Sequence, residues 1–360
     1  MKKLTIPILC IILVFLVVGC GTTPTPAPTV TITSQVPAPT QAPSTHPIVQ
    51  LEILSSTFGQ AGYILPMATA DLLKKNHPWL RANVAETPGY VYNLESLVNN
   101  PSMWNNTVIG SNTETIWLAR KGMDPFTTSM PAVGMRKSMT QMLTWFGIVT
   151  LDPNIKTLQD LEGKKLALGL KTQIGWWKLP EWVMGDGLGI LDRINVENMK
   201  PADMGRYLLD GMVDACMVAA SMNPYTKQWS WQGPSMELAN SGKKFSYINY
   251  GSKEALDKVQ NEVGIAVNGV TLAAGTLPDQ TSDVFGIAQT GDYWVKDVFP
   301  EDIAYEFTKF NIQNHDKYGD YLELGKMMSP EYMAFGITKR NGHPGAVRAY
   351  EEAGIKIPES

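Results

Sequence analysis

The sequence predicts an α/β protein of two lobes, one interrupted by the other, with a ligand cleft between them. Three observations carry this. Residues 49–115 run strand, turn, helix, strand, turn, helix, strand, an order that makes a parallel sheet with helices on both faces. A second such unit begins near Thr150. Ser282–Val295 then reads as a strand returning to the first unit, with helices after it. The expected lobes are 47–149 with 283–360, and 150–282. A length of roughly 310 residues is that of about two domains.

Lys2 and Lys3 precede an apolar stretch, Leu4 to Val18, and Val17-Val18-Gly19-Cys20 reads as a lipobox. That order marks residues 1–19 as a lipoprotein signal peptide, too short for a convincing transmembrane anchor. Cys20 is then the lipidated mature N-terminus. Residues 21–46 are mostly Thr, Pro, Ala, Ser and Gln with no Lys, Arg, Asp or Glu, a composition that cannot bury a core. Residues 20–46 are therefore expected to be a spacer lifting the body off the outer face of a bacterial cell membrane.

Removing residues 1–19 takes two lysines and no acidic residue, so the formal net charge moves from −4 to −6. With no basic tract, nucleic acid is excluded as a partner. Cys216 is the one cysteine in the body, inside an apolar run, and reads as a small core residue.

In the first unit the apolar alternation of 49–54 leads into Ser55–Tyr63. Ile64, Met67, Ala68 and Leu72 then share a helical face, and Pro66 fits only if it lies in the first turn. Arg81–Glu86 is the second strand and Thr87-Pro88-Gly89 its turn. Val91, Leu94, Leu97 and Val98 mark the second helix. Thr107–Gly110 is the third strand, ending at Ser111-Asn112-Thr113. In the second unit Leu166–Leu168 is a strand ending at Gly169–Gly175, and Pro180 implies that the next helix starts late. Pro201–Asp210 is a helix closed by Gly211, and Val213–Ala220 a buried strand ending at Ser221-Met222-Asn223. A long helix is expected from Glu301 to about Tyr321. A last one covers 344–353, with Pro344 at its first position and Gly354 past its end.

Ligands of such sheets bind beyond the carboxyl ends of the strands. Those ends here are rich in hydroxyls and glycine, which present hydrogen-bond donors to an anion. The candidate site residues are Ser56, Thr57, Gly62 and Tyr63 after the first strand, Thr87 and Gly89 after the second, and Ser111 and Thr113 after the third. The second lobe supplies Lys171, Thr172, Gln173 and Trp176, with Ser221 and Asn223. Lys171 would add a point charge. Trp176 and Trp177, with Tyr225, Trp229 and Trp231, point to a ligand with an apolar or aromatic body beside its acid group.

Short motifs in this order resemble a known family. They are Gly62-Tyr63, Thr87-Pro88-Gly89 with Asn93-Leu94, Asp160–Lys164, Leu209–Ala215, Thr276–Gln280 and above all His343–Gly354. The chain is similar over nearly all of 48–356 to the TAXI solute-binding proteins, the receptors of TRAP transporters. The resemblance implies a type II periplasmic-binding-protein fold. It also implies capture of a small organic acid and delivery to TRAP membrane subunits. Two departures stand out. The family's Thr-Gly-Gly-Ser is Thr87-Pro88-Gly89-Tyr90 here, and its Pro-Gly-Ser-Gly-Thr is Leu170–Ile174, so a glutamate- or 2-oxoglutarate-type receptor stands as the alternative reading of the ligand.

The four histidines form no pair with metal spacing, and no nucleophile elbow or Walker loop is present. The expected protein is a non-enzymatic, monomeric receptor without metal or cofactor. A second class, a ligand sensor presenting its solute to a membrane sensor kinase, uses the same fold.

Overall fold

The computed structural model describes residues 46–130 and 134–360. Cys20 and the rest of 1–45 lie outside the described residues.

The first half of the chain builds β1 (Val49–Leu54), α1 (Ala61–Asn76), β2 (Leu80–Ala85), α2 (Tyr90–Asn99), β3 (Thr107–Ser111) and α3 (Thr113–Lys121). β1 pairs in parallel with both β2 and β3, so the three carboxyl ends lie along one edge. β4 (Met135–Thr150) follows. The second lobe contributes β5 (Lys165–Leu168), β6 (Asn195–Asn198), α4 (Pro201–Leu209), β7 (Ala215–Met222), β8 (Trp229–Trp231) and α5 (Gly233–Ala239). β9 (Ser246–Ile248), α6 (Lys253–Glu262) and β10 (Asn268–Leu272) follow, β10 pairing with β11. β5 pairs in parallel with β6 and β7. β11 (Val284–Lys296) returns, and α7 (Glu301–Gln313), α8 (Pro330–Met333) and α9 (Pro344–Glu352) end the chain.

The strands form one hydrogen-bonded path, β2-β1-β3-β11-β4-β7-β5-β6. Its middle is the antiparallel pair of two long strands. β11 pairs with β3 through Asp292–Trp294 and with β4 along nearly its whole length. The far half of β4, Thr144–Thr150, pairs with β7. The two lobes thus share a sheet that curls through β4 and β11. The ladder between those strands shifts register at Gly291/Asp292 and again at Tyr293/Trp294, irregularities that bend and twist a strand.

Two apolar cores follow. One buries Leu51, Ile53, Leu65 and Leu72 against Phe307, Tyr332 and Tyr350 of the C-terminal helices. The other runs from Leu94 and Ile109 through Trp145 and Phe146 to Leu166, Trp182 and Val218 of the second lobe. Cys216 is fully buried, and burial pushes its thiol up to about 12.

Four expectations need correcting. β4 was not anticipated: every residue of it but Arg136 is buried, so it has no polar alternation to betray a strand. Pro66 lies in the second turn of α1, where it leaves Gly62 without an i+4 donor. The helix after Gln173 does not start late. It begins at Ile174 and runs to Gly187, of π type on both sides of Leu179-Pro180, and the wider turn relieves the clash a proline ring makes in an α-helix. Finally α7 stops at Gln313, and His315–Asp320 is a separate 3-10 segment. The glycine closures held: Gly211 and Gly354 have φ of +70° and +81°.

Candidate functional site

The carboxyl ends of the first-lobe strands face the start of the π-type helix across β4 and β11. Between them lies a cleft of about 620 Å³, its open mouth included. The first lobe supplies Ser56, Gln60, Ala61 and Gly62, then Pro88, Gly89 and Tyr90. The second lobe supplies Thr172–Trp176 and Gln232. The floor is Met142, Thr144 and Phe146 of β4 with Gln289 and Gly291 of β11. No Lys, Arg, Asp or Glu is among these residues.

Positive potential comes instead from the backbone. Three helices begin at the cleft: α1 after Gln60, α2 after Gly89 and the π-type run after Gln173. None of these N-caps makes a side-chain hydrogen bond; those of α4, α5 and α7 make none either, whereas α3, α6, α8 and α9 are each capped by one. The first amides of a helix have no acceptor within it. Among the described residues those of Ala61, Gly62, Tyr90, Ile174 and Gly175 have no other acceptor either. Each helix start carries about half a positive charge, so the three together favour an anion.

Side-chain amides add aimed donors. Asn112 Nδ2 donates to Gln289 Oε1 at 3.2 Å, which leaves Gln289 Nε2 as the free end. Asn112 is itself fixed, its Oδ1 accepting from the Thr115 amide at 2.8 Å and hydroxyl at 2.6 Å. Gln173 Oε1 accepts from the Leu170 amide at 3.0 Å, so its Nε2 is free too. Gln232 Nε2 donates to Thr144 Oγ1 at 2.7 Å and Ser221 Oγ at 3.1 Å, which leaves its oxygen open. Ser56 Oγ is buried without a partner. Burial pushes the Tyr90 hydroxyl up, with Asp292 and Glu114 adding to it, so this group stays a neutral donor.

Glycine makes this approach possible. A Cβ on Gly175 would sit 2.4 Å from Gln289 Nε2 and 2.5 Å from Phe146 Cζ. One on Gly291 would sit 2.7 Å from the Tyr90 oxygen, and one on Gly62 2.9 Å from Ser56 Oγ.

Of the sequence candidates the cleft gathers Ser56, Gly62, Gly89, Thr172, Gln173 and Trp176. It does not gather the others. Thr87 Oγ1 donates to the Ser55 carbonyl at 2.9 Å, and Asn93 Nδ2 bridges the carbonyls of Leu54, Ser55 and Gly110. These groups satisfy strand ends rather than a ligand. Tyr63 leans on Phe58 beside Thr57, and Ser111 is fully buried. Thr113 faces other pockets. Lys171 is exposed, its Nζ 5.5 Å from the Trp177 ring centre, so it adds no charge to the cleft. Ser221 lies one layer behind, under Gln232. Asn223 donates to the Met327 carbonyl at 2.8 Å and accepts from the amides of Tyr225 and Thr226. Trp231 stacks on Tyr247, Trp177 is buried in the core that reaches into the second lobe, and Trp229 packs against both cores. Among the aromatics it is Trp176, Phe146 and Tyr90 that line the cleft. The floor residues were missed because they sit mid-strand, where no loop composition announces them.

Among the described residues no group of three or more His, Cys, Asp or Glu is placed to hold a metal, and no helix is long and apolar enough to cross a membrane. Two α/β lobes joined by a curled sheet, with helix starts turned into the cleft, define the periplasmic-binding-protein-like fold. The chain belongs to the NMT1-like family, whose model matches residues 53–354. MatC from Rhodopseudomonas palustris with bound malate is similar at 12% identity and a TM-score of 0.50, over 86% of this chain and 98% of that one. Rpa4515 from R. palustris with adipate is similar at 13% identity and 0.50, over 86% and 94%. The Escherichia coli periplasmic aliphatic sulphonate binding protein SsuA aligns at 15% identity and 0.42, over 84% and 83%. A search of curated protein sequences finds no match.

Proposed function

We propose that this protein is an extracytoplasmic solute receptor. It holds a small organic acid between its lobes and hands it, unchanged, to a TRAP-type secondary transporter, as a TAXI receptor does. The observation that carries the reading is the convergence of three uncapped helix starts on a cleft without charged side chains. A carboxylate there exchanges water for preoriented N–H donors. Charge-assisted hydrogen bonds of this kind contribute about 1.5–3 kcal/mol each. The malate and adipate held by MatC and Rpa4515 are organic acids in the same architecture. Met142, Phe146, Ile174 and Trp176 give the ligand's body an apolar wall. The signal peptide, the lipid on Cys20 and the spacer complete the proposal by placing the body outside the membrane. The lobes are 47–149 with 283–360, and 150–282.

Calorimetric titration with a panel of acids tests it. Branched or aromatic monocarboxylates should bind more tightly than glutamate. Each matching amide should bind at least about tenfold more weakly than its acid. Lys171→Ala should leave every affinity unchanged. Acids and amides of equal affinity would refute an anion site, and tight glutamate with no apolar acid bound would refute the assigned ligand body.

A further inference from the structure

Residues alternate across β4 and β11. Met142 and Thr144 meet the cleft, while Leu143, Ala288 and Thr290 meet a second pocket behind the same strands, and Gln289 borders both. This second pocket spans about 1380 Å³ with its mouth included. We propose that it is a ligand site for a small organic monocation, an ammonium carried on an apolar body.

The argument starts from Glu114, the second residue of α3. Its side chain lines the pocket and is 8% exposed, and its Oε2 has no hydrogen-bond partner. The cation beside it is already engaged: Lys137 Nζ lies 2.8 Å from Asp292 Oδ1 and donates to the Phe335 carbonyl at 3.1 Å. Asp292 also accepts from the hydroxyls of Thr140 and Thr290. Lys137 and Asp292 cancel, and the charge of Glu114 is left over. Burial disfavours a carboxylate with an unpartnered oxygen: it outweighs the hydrogen bond from Glu114's own backbone amide and the pull of Lys137, and with Asp292 adding to it pushes Glu114 up to about 7. What is missing is a positive group with a hydrogen to donate.

The rest of the wall selects the kind of cation. No second carboxylate lines the pocket, so it lacks the oxygen ligands a hard metal ion requires. Trp117, Ile265, Val270 and Phe335 offer apolar and aromatic surface instead. An indole face attracts an ammonium by about 0.5–2 kcal/mol, more as water is excluded.

Benzylammonium is a suitable probe, with benzyl alcohol as its neutral counterpart. Wild-type protein should bind benzylammonium saturably and the alcohol at least about tenfold more weakly. Glu114→Gln, which keeps the shape of the side chain, should reduce benzylammonium to the affinity of the alcohol while the front cleft still binds its acid saturably. Asn268→Trp, at an exposed position of β10 on the pocket's lining, should block the amine without touching Glu114. Equal binding of benzylammonium to wild type and Glu114→Gln would overturn the proposal. So would undiminished binding to Asn268→Trp, or no saturable binding to wild type.

Discussion

Gly175 packs its backbone tightly on the crossing strands, and Gly175→Ala tests the cleft most directly. The new methyl carbon would lie 2.4 Å from Gln289 Nε2 and 2.5 Å from Phe146 Cζ, against about 3.5–4.0 Å for an unstrained contact. Roughly 1 Å must open on two sides. Phe146 is buried at 2%, so Gln289 is the group that gives way. In moving it leaves Asn112 and carries its free Nε2 off the ligand's position. Overpacking of this size costs about 1–3 kcal/mol, which is about 5- to 150-fold in affinity if it falls on the bound state. Gly185→Ala is the control. It lies in the same helical run, and its nearest atom is Leu191 Cδ2 at 3.8 Å, an ordinary contact. Calorimetry with the tightest acid of the panel, beside urea unfolding of both variants, separates binding from stability. Wild-type affinity in Gly175→Ala would refute the placing of the site at this helix start. So would an equal loss in Gly185→Ala.

Two further predictions concern charge. Lys137→Met strands the fully buried Asp292, so urea unfolding should show a loss of about 3–5 kcal/mol; a loss below about 1 kcal/mol would mean the pair is solvated. Glu114 has its folded pKa raised from 4.5 to about 7, so between those values the folded chain holds a proton that the unfolded chain has released. Its contribution to stability therefore falls as pH rises through that window, and wild-type Tm should decline relative to Glu114→Gln before levelling off above it. Asp292 and Lys137, the charges facing Glu114, are common to both proteins, and parallel Tm curves would refute the shift.

Local chemistry made much of the fold legible. The βα order of 49–115 reads directly, because each strand is short, apolar and followed by a turn and an amphipathic stretch. The same holds for α9, with Pro344 inside its start and Gly354 past its end. β4 did not read, since a strand buried on both faces shows no alternation and its length of sixteen residues has no punctuation. The site was legible where a strand end runs into a helix start, at Ser56, Gly62, Gly89 and Gln173. At Thr87 a hydroxyl is present for another reason: it satisfies the carbonyl that follows β1 and lies outside the cleft lining. Gln289 and Phe146 carried no signal, because their meeting depends on a pairing between residues more than a hundred positions apart.

That pairing also sets a timetable for folding. β11 lies between β3 and β4, so the first-lobe sheet has a vacant place until residues 284–296 have been made. Over some 170 residues of synthesis β3, and over some 130 β4, presents an edge with no strand to fill it. Loop-closure entropy must be met before that long-range contact forms, which slows folding. Unpaired edges are also where chains aggregate. A chain arranged this way gains little from folding as it is made. The strand that joins β3 to β4 is made only in the last quarter of the chain.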